Sequence, residues 1–257
     1  MPSGTLTKGK LYLVPAPLDF MCETQAPLHQ VMPDGSLLIA ARLSHWVCEN
    51  AKSTRALLKR IGLVHPLSCV VQDQQIAELP RLVHKKGDHA AGLDTSSLLA
   101  PALQGHDMGL VSEAGMPAVA DPGSSLVRAA HDAGIQVIPL VGPCSLLLAL
   151  AASGLNGQQF AFHGYLPQDA ALRVQQIQSL EKQALKSGET QIFIETPYRN
   201  QALLSALLTS LQADTRLCLA ADLSLDNMQI HSLKVSHWKK KGLLPDKHSP
   251  VVFAFGP

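Results

Sequence analysis

Residues Gly109–Gly154 read GLVSEAGMPAVADPGSSLVRAAHDAGIQVIPLVGPCSLLLALAASG, and this stretch decides the fold of the chain. A short apolar strand runs into a turn rich in Gly and Pro, and a helix, a second strand, a second turn at Gly142-Pro143 and a second helix follow. In an open parallel sheet, ligands bind outside the carboxyl ends of the strands. Because glycine lets backbone approach a ligand closely, the two turns predict a ligand site.

Length and composition indicate a folded protein of one large domain or two modest ones, and they weaken the case for a pure nucleic-acid binder. The chain has 257 residues, of which 46% are hydrophobic and 16% charged, so it can bury a core and is not disordered. The net charge of +1 argues against a protein held to nucleic acid mainly by phosphate contacts. It does not exclude an enzyme with a small basic patch. Aromatic residues make up only 4%, which leaves few surfaces for base stacking.

The cysteines and the apolar runs indicate a cytoplasmic protein without a metal site. Five cysteines occur without a CxxC pair, which fits neither a zinc site nor a disulfide framework. Reduced thiols are expected, as in the cytosol. The first ten residues lack the apolar core of a signal peptide, and the run Ser145–Ser153 is too short to cross a bilayer.

Strands and helices alternate along the chain, which predicts an α/β fold. The polar segment Ser153–Gln159 separates two apolar blocks and places a domain boundary near residue 156, giving domains 1–156 and 157–257. The predicted strands are Leu11–Pro15, Leu37–Ala41, Gly109–Ser112, Gln136–Leu140, Phe160–Tyr165, Gln191–Thr196, Arg216–Ala221, Ile230–Ser236 and Val251–Phe255. The predicted helices are Ala51–Ile61, Asp94–Leu103, Ser124–Ala133, Ala170–Lys186 and Asn200–Leu211, with another after Gly142-Pro143. Lys239–Lys241 is interpreted as a solvated turn.

The two turns carry candidate ligand groups, each with a structural alternative. Asp121 either caps the following helix or, with Glu113, accepts hydrogen bonds from a ligand. Pro143 and Ser145 suit a helix start, whose unpaired N–H groups favour an anionic group; an ordinary capped helix is the alternative. The chain has neither GxGxxG nor GxxxxGK[ST], so a standard dinucleotide site or P-loop is not indicated.

Several blocks in order resemble the tetrapyrrole methylase superfamily, and within it the branch of bacterial 16S ribosomal RNA 2′-O-ribose methyltransferases that act on cytidine. The combination is specific, although each block alone is weak. The blocks are Leu11–Pro17 (LYLVPAP), Val111–Gly123 (VSEAGMPAVADPG), Val137–Ser145 (VIPLVGPCS), His163–Pro167 (HGYLP) and Ile192–Arg199 (IFIETPYR).

This resemblance implies a two-domain α/β fold, with a mostly parallel sheet in the N-terminal domain and a mixed sheet in the C-terminal domain. It also implies a homodimer and an S-adenosylmethionine (SAM) cofactor in the cleft between the domains, held largely by loop backbone. The implied cofactor residues are Pro15, Ser112, Glu113, Ala114, Gly115, Pro117, Asp121, Gly142, Pro143, Cys144, Ser145, Thr196, Pro197, Ala220 and Ala221.

The chain departs from the ribosomal enzymes mainly in segments expected to face the methyl acceptor. A Pro-Ile-Gly-Asn-Leu type segment is replaced by Pro17–Phe20 (PLDF), a Glu-Asp-Thr-Arg type motif by Cys48–Arg55 (CENAKSTR), and Arg-Glu-Leu-Thr-Lys by Ala221–Leu225 (ADLSL). The matching cofactor loops favour methyl transfer, while the departures leave the RNA substrate open.

A predicted basic helix offers candidate substrate contacts. Lys52 and Arg55 share a side of this helix with Lys59 and Arg60, and either contact phosphate or form a solvated face. The polar segment 84–89 is expected to be a surface loop that flanks the cleft.

Methyl transfer from a sulfonium is an in-line displacement that depends on alignment, so no dedicated base is predicted and the catalytic residues remain unidentified. The carboxylates available to take a proton from a hydroxyl acceptor are Glu113, Asp121 and Glu195, whose alternative roles are cofactor contact, helix cap and strand-end hydrogen bonding. Three functions remain open: an RNA methyltransferase, a methyltransferase of a tetrapyrrole or another small metabolite, and a non-catalytic SAM-binding protein.

Overall fold

The computed structural model describes residues 7–20, 22–80, 94–242 and 245–257. Segment 84–89, predicted above to be a surface loop, lies outside these ranges. The chain divides into two compact units. The first runs to Phe20 and again from Ala26 to Pro143, and the second takes Cys144–Pro257 with the short segment that ends at Gln25.

The first unit is built on a parallel sheet. Its elements are β1 (Leu11–Leu13), α1 (Leu28–Val31), α2 (Asp34–Arg42), β2 (His45–Cys48), α3 (Ala51–Gly62), β3 (Gln75–Glu78), a 3₁₀ helix (Ser96–Leu99), α4 (Ala100–Leu103), β4 (Met108–Val111), α5 (Ser124–Asp132) and β5 (Val137–Pro139). The strand order is β3-β2-β4-β1-β5, and every pairing is parallel. Consequently the loops after β1, β4 and β5 leave one edge of the sheet side by side.

The sequence explains why the central strands and α3 take their places. All four residues of β4 are buried, as expected for a strand covered on both faces. Helix α3 buries Thr54, Leu57, Leu58 and Ile61, whose spacing gives one apolar stripe. Its opposite face carries the basic residues, which fixes that face toward solvent.

The second unit is built on a mixed sheet. Its elements are α6 (Ser145–Ser153), β6 (Phe160–Tyr165), α7 (Ala170–Ser187), β7 (Thr190–Glu195), a 3₁₀ helix (Pro197–Arg199), α8 (Asn200–Ser210), β8 (Arg216–Ala221), β9 (Gln229–Lys234), α9 (Val235–Lys241) and β10 (Val251–Gly256). The order is β6-β7-β10-β8-β9; β6 and β7 are parallel and the remaining pairs antiparallel. The predicted fold class, one largely parallel and one mixed sheet, is confirmed.

The strand predicted at Leu37–Ala41 is wrong, because these residues lie in helix α2. A short apolar run fits either a buried strand or a buried helix. Here Ser36, Leu37, Ala40 and Ala41 are the buried positions, which is helical spacing. The true second strand is β2, which follows a few residues later.

The end of β9 also differs from the prediction. The strand stops at Lys234, and helix α9 begins at Val235, so Lys239–Lys241 form the last helical turn and not a simple turn. Cations in the last turn stabilise a helix by interacting favourably with its dipole. The buried Trp238 anchors this helix by donating its indole N–H to the Leu217 carbonyl at 2.8 Å.

The division between the units falls between Pro143 and Cys144, before α6. The boundary predicted near residue 156 would leave α6 with the first domain. By its contacts α6 packs against β8, β9 and β10 and groups with the second unit. No helix of the described residues is long and apolar enough to cross a membrane.

Candidate active site

Two loops of the first unit are joined by backbone pairing at the carboxyl edge of its sheet. Ala16 follows β1 and Gly115 follows β4, and they form an antiparallel bridge with two N–H···O bonds of 2.9 Å each. Gly115 has φ +72°, a conformation that favours glycine. The bridge fixes the two loops relative to each other without using side chains.

The loop after β5 lies against the same segment. A Cβ added at Gly142 would lie 2.4 Å from both Cβ and Cγ of Pro15, far inside a normal carbon–carbon contact. Glycine is therefore required at this position by close approach and not by its torsion angles. The loops after β1, β4 and β5 meet here, as the Gly/Pro turns predicted.

Left-handed backbone recurs along the loop from Ser112 to Gly123. Ala118 and Ala120, which both carry a Cβ, have φ of 63° and 65°, and Gly123 has φ 138°. Left-handed non-glycine residues are sparsely populated and concentrate at functional sites. A Cβ at Gly123 would also meet Leu110 Cδ2 at 2.8 Å. The loop path is thus fixed by sterically restrictive contacts.

Asp121 lies half-buried in this loop, two residues before the N-cap position of α5. Gly123 holds the N-cap position and has no side chain with which to cap the helix. Burial, and then the negative charges of Glu49 and Glu113, raise the pKa of Asp121 to about 7, although a hydrogen bond from Ser112 opposes the rise. Both roles predicted for Asp121, helix cap and ligand contact, therefore stay predictions.

Helix α3 begins beside this edge, with its N-terminus satisfied by two acceptors. The Asn50 side chain accepts from the N–H groups of Lys52 at 2.9 Å and Ser53 at 3.4 Å, and Glu78 Oε1 accepts from Ala51 N–H at 2.7 Å. These bonds are what the N-terminal turn of a helix requires.

The basic residues of α3 fall into two groups. Lys52, Arg55 and Lys59 are exposed. Arg60 is directed to Asp19, with Nη1–Oδ1 at 3.0 Å and Nη2–Oδ2 at 2.8 Å. Arg60 is therefore committed to an ion pair, so the basic face comprises the first three residues only.

In the second unit, the predicted residues Thr196 and Pro197 follow β7. Glu195 Oε1 accepts from Thr196 N–H at 2.8 Å and forms an ion pair with Arg199 at 2.9 Å. Arg199 Nε donates to Thr196 Oγ1 at 3.0 Å. The Glu195 carboxylate is buried among these partners, so its geometry matches strand-end hydrogen bonding more closely than proton abstraction.

The other predicted residues of this unit lie at the ends of neighbouring elements. Ala220 and Ala221 are the buried last residues of β8. The next residue, Asp222, has φ 52° and accepts through Oδ2 from Asn227 at 2.9 Å and Ser249 at 2.7 Å. Polar bonds thus hold the loop after Ala221 in a left-handed path.

The remaining predicted residues start α6, with Cys144 at its N-cap and Ser145 as its first residue. The Cys144 side chain makes no capping hydrogen bond to this helix.

The structure therefore brings most of the predicted first-unit residues to one sheet edge. Glu49 at that edge and Asp19 were missed, and Arg60 was predicted only as part of the basic face of α3. The departure from the expected Pro17–Phe20 segment was the one signal that marked Asp19. A cavity of about 410 Å³ in the second unit is lined by Gln178, Glu181, Lys182, Leu185, Ser210 and Gln212, none of them a predicted site residue.

The side chains that could bind a metal include the cysteines. All five cysteines are free thiols. Among the described parts of the chain, no three or more His, Cys, Asp or Glu side chains are grouped to hold a metal ion. The carboxylates Glu49, Glu113 and Asp121 influence one another electrostatically without forming such a group.

The model of the family described as Tetrapyrrole (Corrin/Porphyrin) Methylases matches residues 52–237. The chain belongs to this family. It is similar to Ribosomal RNA small subunit methyltransferase I of Escherichia coli O157:H7, with 29% identity over 242 residues, 93% of this chain and 75% of that protein. The protein of the same name from Pseudomonas aeruginosa is 28% identical over 232 residues, 90% of this chain and 72% of that one.

Two solved structures share the fold. Uroporphyrin-III-C-methyltransferase from Thermus thermophilus has a TM-score of 0.55 and 20% identity, and the match covers 97% of this chain and 94% of that one. The methyltransferase CobJ gives a TM-score of 0.54 and 17% identity, with 96% and 94% covered. The family and its fold make this protein a methyltransferase with SAM as its methyl donor.

Proposed function

We propose that this SAM-dependent methyltransferase acts on ribosomal RNA of the small subunit, at a ribose 2′-hydroxyl of cytidine. The observation that carries the proposal is the exposed basic face of α3, formed by Lys52, Arg55 and Lys59. These residues stand at helical spacing i, i+3 and i+7, so they share one side of the helix. Exposed cations in a row suit contacts to successive phosphates. The names of the curated relatives point to the same substrate.

The cofactor is proposed to bind at the loops of the first sheet edge. SAM carries a sulfonium cation and an ammonium group; Glu113 provides negative charge beside these loops, and Asp121 adds to it when it ionises near pH 7. Gly115 and Gly142 keep the backbone there clear of side chains. This donor set fits the cofactor. The proposed contacts in the first unit are Pro15, Ser112, Glu113, Ala114, Gly115, Pro117, Asp121, Gly142 and Pro143, and those in the second are Cys144, Ser145, Thr196, Pro197, Ala220 and Ala221.

Alignment of the acceptor with the cofactor supplies much of the proposed catalysis. Bound SAM supplies an already activated methyl group. The chain's own residues hold the cofactor, and the α3 face orients the acceptor phosphates so that a hydroxyl approaches in line. Asp121 is the carboxyl group at the loops whose pKa, about 7, suits exchange of a proton near neutral pH.

A homodimer is proposed through the exposed side of α6. Leu147 and Leu148 are 53% and 41% exposed, and Ala151 and Ala152 on the same helix are exposed as well. An apolar stripe that ends in small residues suits close packing against a second copy. Light scattering on the purified protein tests this: a dimer is expected, and Leu148→Arg is expected to give a monomer. A wild-type monomer at micromolar concentration refutes the proposed dimer.

A cytoplasmic location follows from the proposed acceptor.

The decisive experiment is transfer of a labelled methyl group from SAM to purified small ribosomal subunits that lack RNA methylation, followed by mapping of the modified nucleotide. The triple variant Lys52→Ala/Arg55→Ala/Lys59→Ala is expected to lose affinity for RNA and to lower the salt slope of binding by roughly 2 to 3 units. The matched control replaces Lys239, Lys240 and Lys241 on α9 by alanine. Equal losses in both variants, or labelling of a tetrapyrrole and not RNA, would contradict the proposal.

A further inference from the structure

Arg60, in the last turn of α3, contacts both Asp19 and Ala26. Its guanidinium forms the bidentate pair with Asp19 and also donates from Nη2 to the Ala26 carbonyl at 2.7 Å. The Asp19 side chain is 6% exposed and that of Arg60 20%. A forked pair in such a partly desolvated place is more directional than a surface ion pair.

Asp19 is the last of a series of contacts that begins at the cofactor loops. Pro15 is in contact range of Gly142, and Ala16 pairs with Gly115. Leu18 is buried, and its Cδ2 lies 3.3 Å from where a Cβ of Gly115 would stand. The segment from Pro15 to Asp19 is therefore short, touches both other loops, and is fixed at its far end by Arg60.

We infer that Arg60 is a positioning residue: through Asp19 it fixes the loop after β1 and so sets the geometry of the SAM loops from the helix that carries the proposed RNA contacts. The inference rests on the proposed cofactor site. The guanidinium does not reach the cofactor loops itself; it acts on them through Asp19, Leu18 and Ala16. Because α3 also bears Lys52 and Arg55, an acceptor held on that helix is kept in register with the loop after β1.

A purely structural ion pair would behave differently. Replacing Arg60 alone leaves the Asp19 carboxylate buried without its partner, which destabilises the fold whatever else the pair does. Replacing both residues by neutral ones removes the buried charge and restores stability. If the pair positions the loop, restored stability does not restore cofactor affinity, because the anchor is still missing.

The test measures two quantities on each variant of the full-length protein: the midpoint of urea unfolding and the calorimetric affinity for SAM. Arg60→Met is expected to lower both, with SAM bound at least tenfold more weakly. In Asp19→Asn/Arg60→Met the midpoint should recover while SAM affinity stays at least tenfold low. Arg60→Lys keeps the charge but cannot form the bidentate pair, so its urea midpoint and SAM affinity should lie between those of the wild type and Arg60→Met. Arg128→Met removes an exposed arginine of α5 and serves as the control.

Each outcome decides one question. If the double variant binds SAM as tightly as the wild type, Arg60 is structural only and the inference fails. If the double variant does not fold, Arg60→Lys decides: wild-type SAM affinity in that variant overturns the inference. Wild-type protein that binds no SAM refutes the proposed cofactor site and this inference with it. SAM binding without methylation of ribosomal RNA refutes only the proposed acceptor.

Discussion

The carboxyl group of Asp121 gives a pH-dependent contribution to stability that the substitution Asp121→Asn should remove. In the folded protein burial, and then the charges of Glu49 and Glu113, raise its pKa to about 7 from 3.8. In the unfolded chain the group ionises near its ordinary value. Between these two pH values the folded state binds more protons than the unfolded state.

The sign and size of the effect follow from proton linkage. The stabilising contribution of Asp121 is complete below about pH 4 and is lost as the pH rises to about 7, because ionisation is harder in the folded state. Each unit of pKa difference corresponds to about 1.4 kcal/mol. From pH 5 to pH 8 roughly two of these units are traversed, so the wild type should lose at most about 3 kcal/mol relative to Asp121→Asn.

The assay is urea unfolding of both proteins at pH 5 and pH 8. The two tryptophans lie one in each unit, Trp46 in the first and Trp238 in the second. In a Trp238→Phe background, fluorescence therefore follows the unit that contains Asp121. Taking the difference between the two pH values cancels any effect of the substitution that does not depend on pH.

A substitution of the exposed Asp132 by Asn, at the end of α5, is the matched control for the loss of one carboxylate. The reasoning is refuted if the stability difference between wild type and Asp121→Asn is the same at both pH values. It is also refuted if the wild type gains stability over the variant as the pH rises.

Two further predictions concern the loops and α3. Gly142→Ala places a Cβ 2.4 Å from the Pro15 ring, so we expect a loss of about 1–3 kcal/mol in unfolding free energy and weaker SAM binding by calorimetry; Gly157→Ala, which meets nothing within 4 Å, is the control, and unchanged affinity in a folded Gly142→Ala protein would count against the proposed site. Asn50→Ala removes the cap of α3 and should lower the urea-unfolding free energy by about 1 kcal/mol; no change would mean that Glu78 alone satisfies the helix N-terminus.

The sequence predicts the longer, apolar elements of the fold, but it does not predict the short strands β2 and β3 on one side of the first sheet. Strands β6 and β8 have the bounds predicted from their composition. Strand β2 has only four residues, and β3, with the sequence QIAE, is a partly exposed edge strand. Neither is long enough for alternation to be recognised. Their place is set by pairing with β4 and β2, which is tertiary information.

The candidate site divides in the same way. The loops after β1, β4 and β5 are marked by Gly and Pro, whose backbone roles are local and readable in the sequence. The bond between Asp19 and Arg60 joins residues 41 positions apart on different elements. The raised pKa of Asp121 likewise depends on Glu49, which lies far away in sequence. Such pairs depend on the folded arrangement, and no local sequence pattern predicts them.

Two of the departures expected from the ribosomal enzymes involve the same helix, α3. The segment Pro17–Phe20 and the segment Cys48–Arg55 are separate in sequence. In the folded unit Asp19 of the first is bound by Arg60 of α3, the helix that the second segment opens. A change in the β1 loop that introduced a buried carboxylate needs a cation on α3, since an unpaired one would be strongly destabilising.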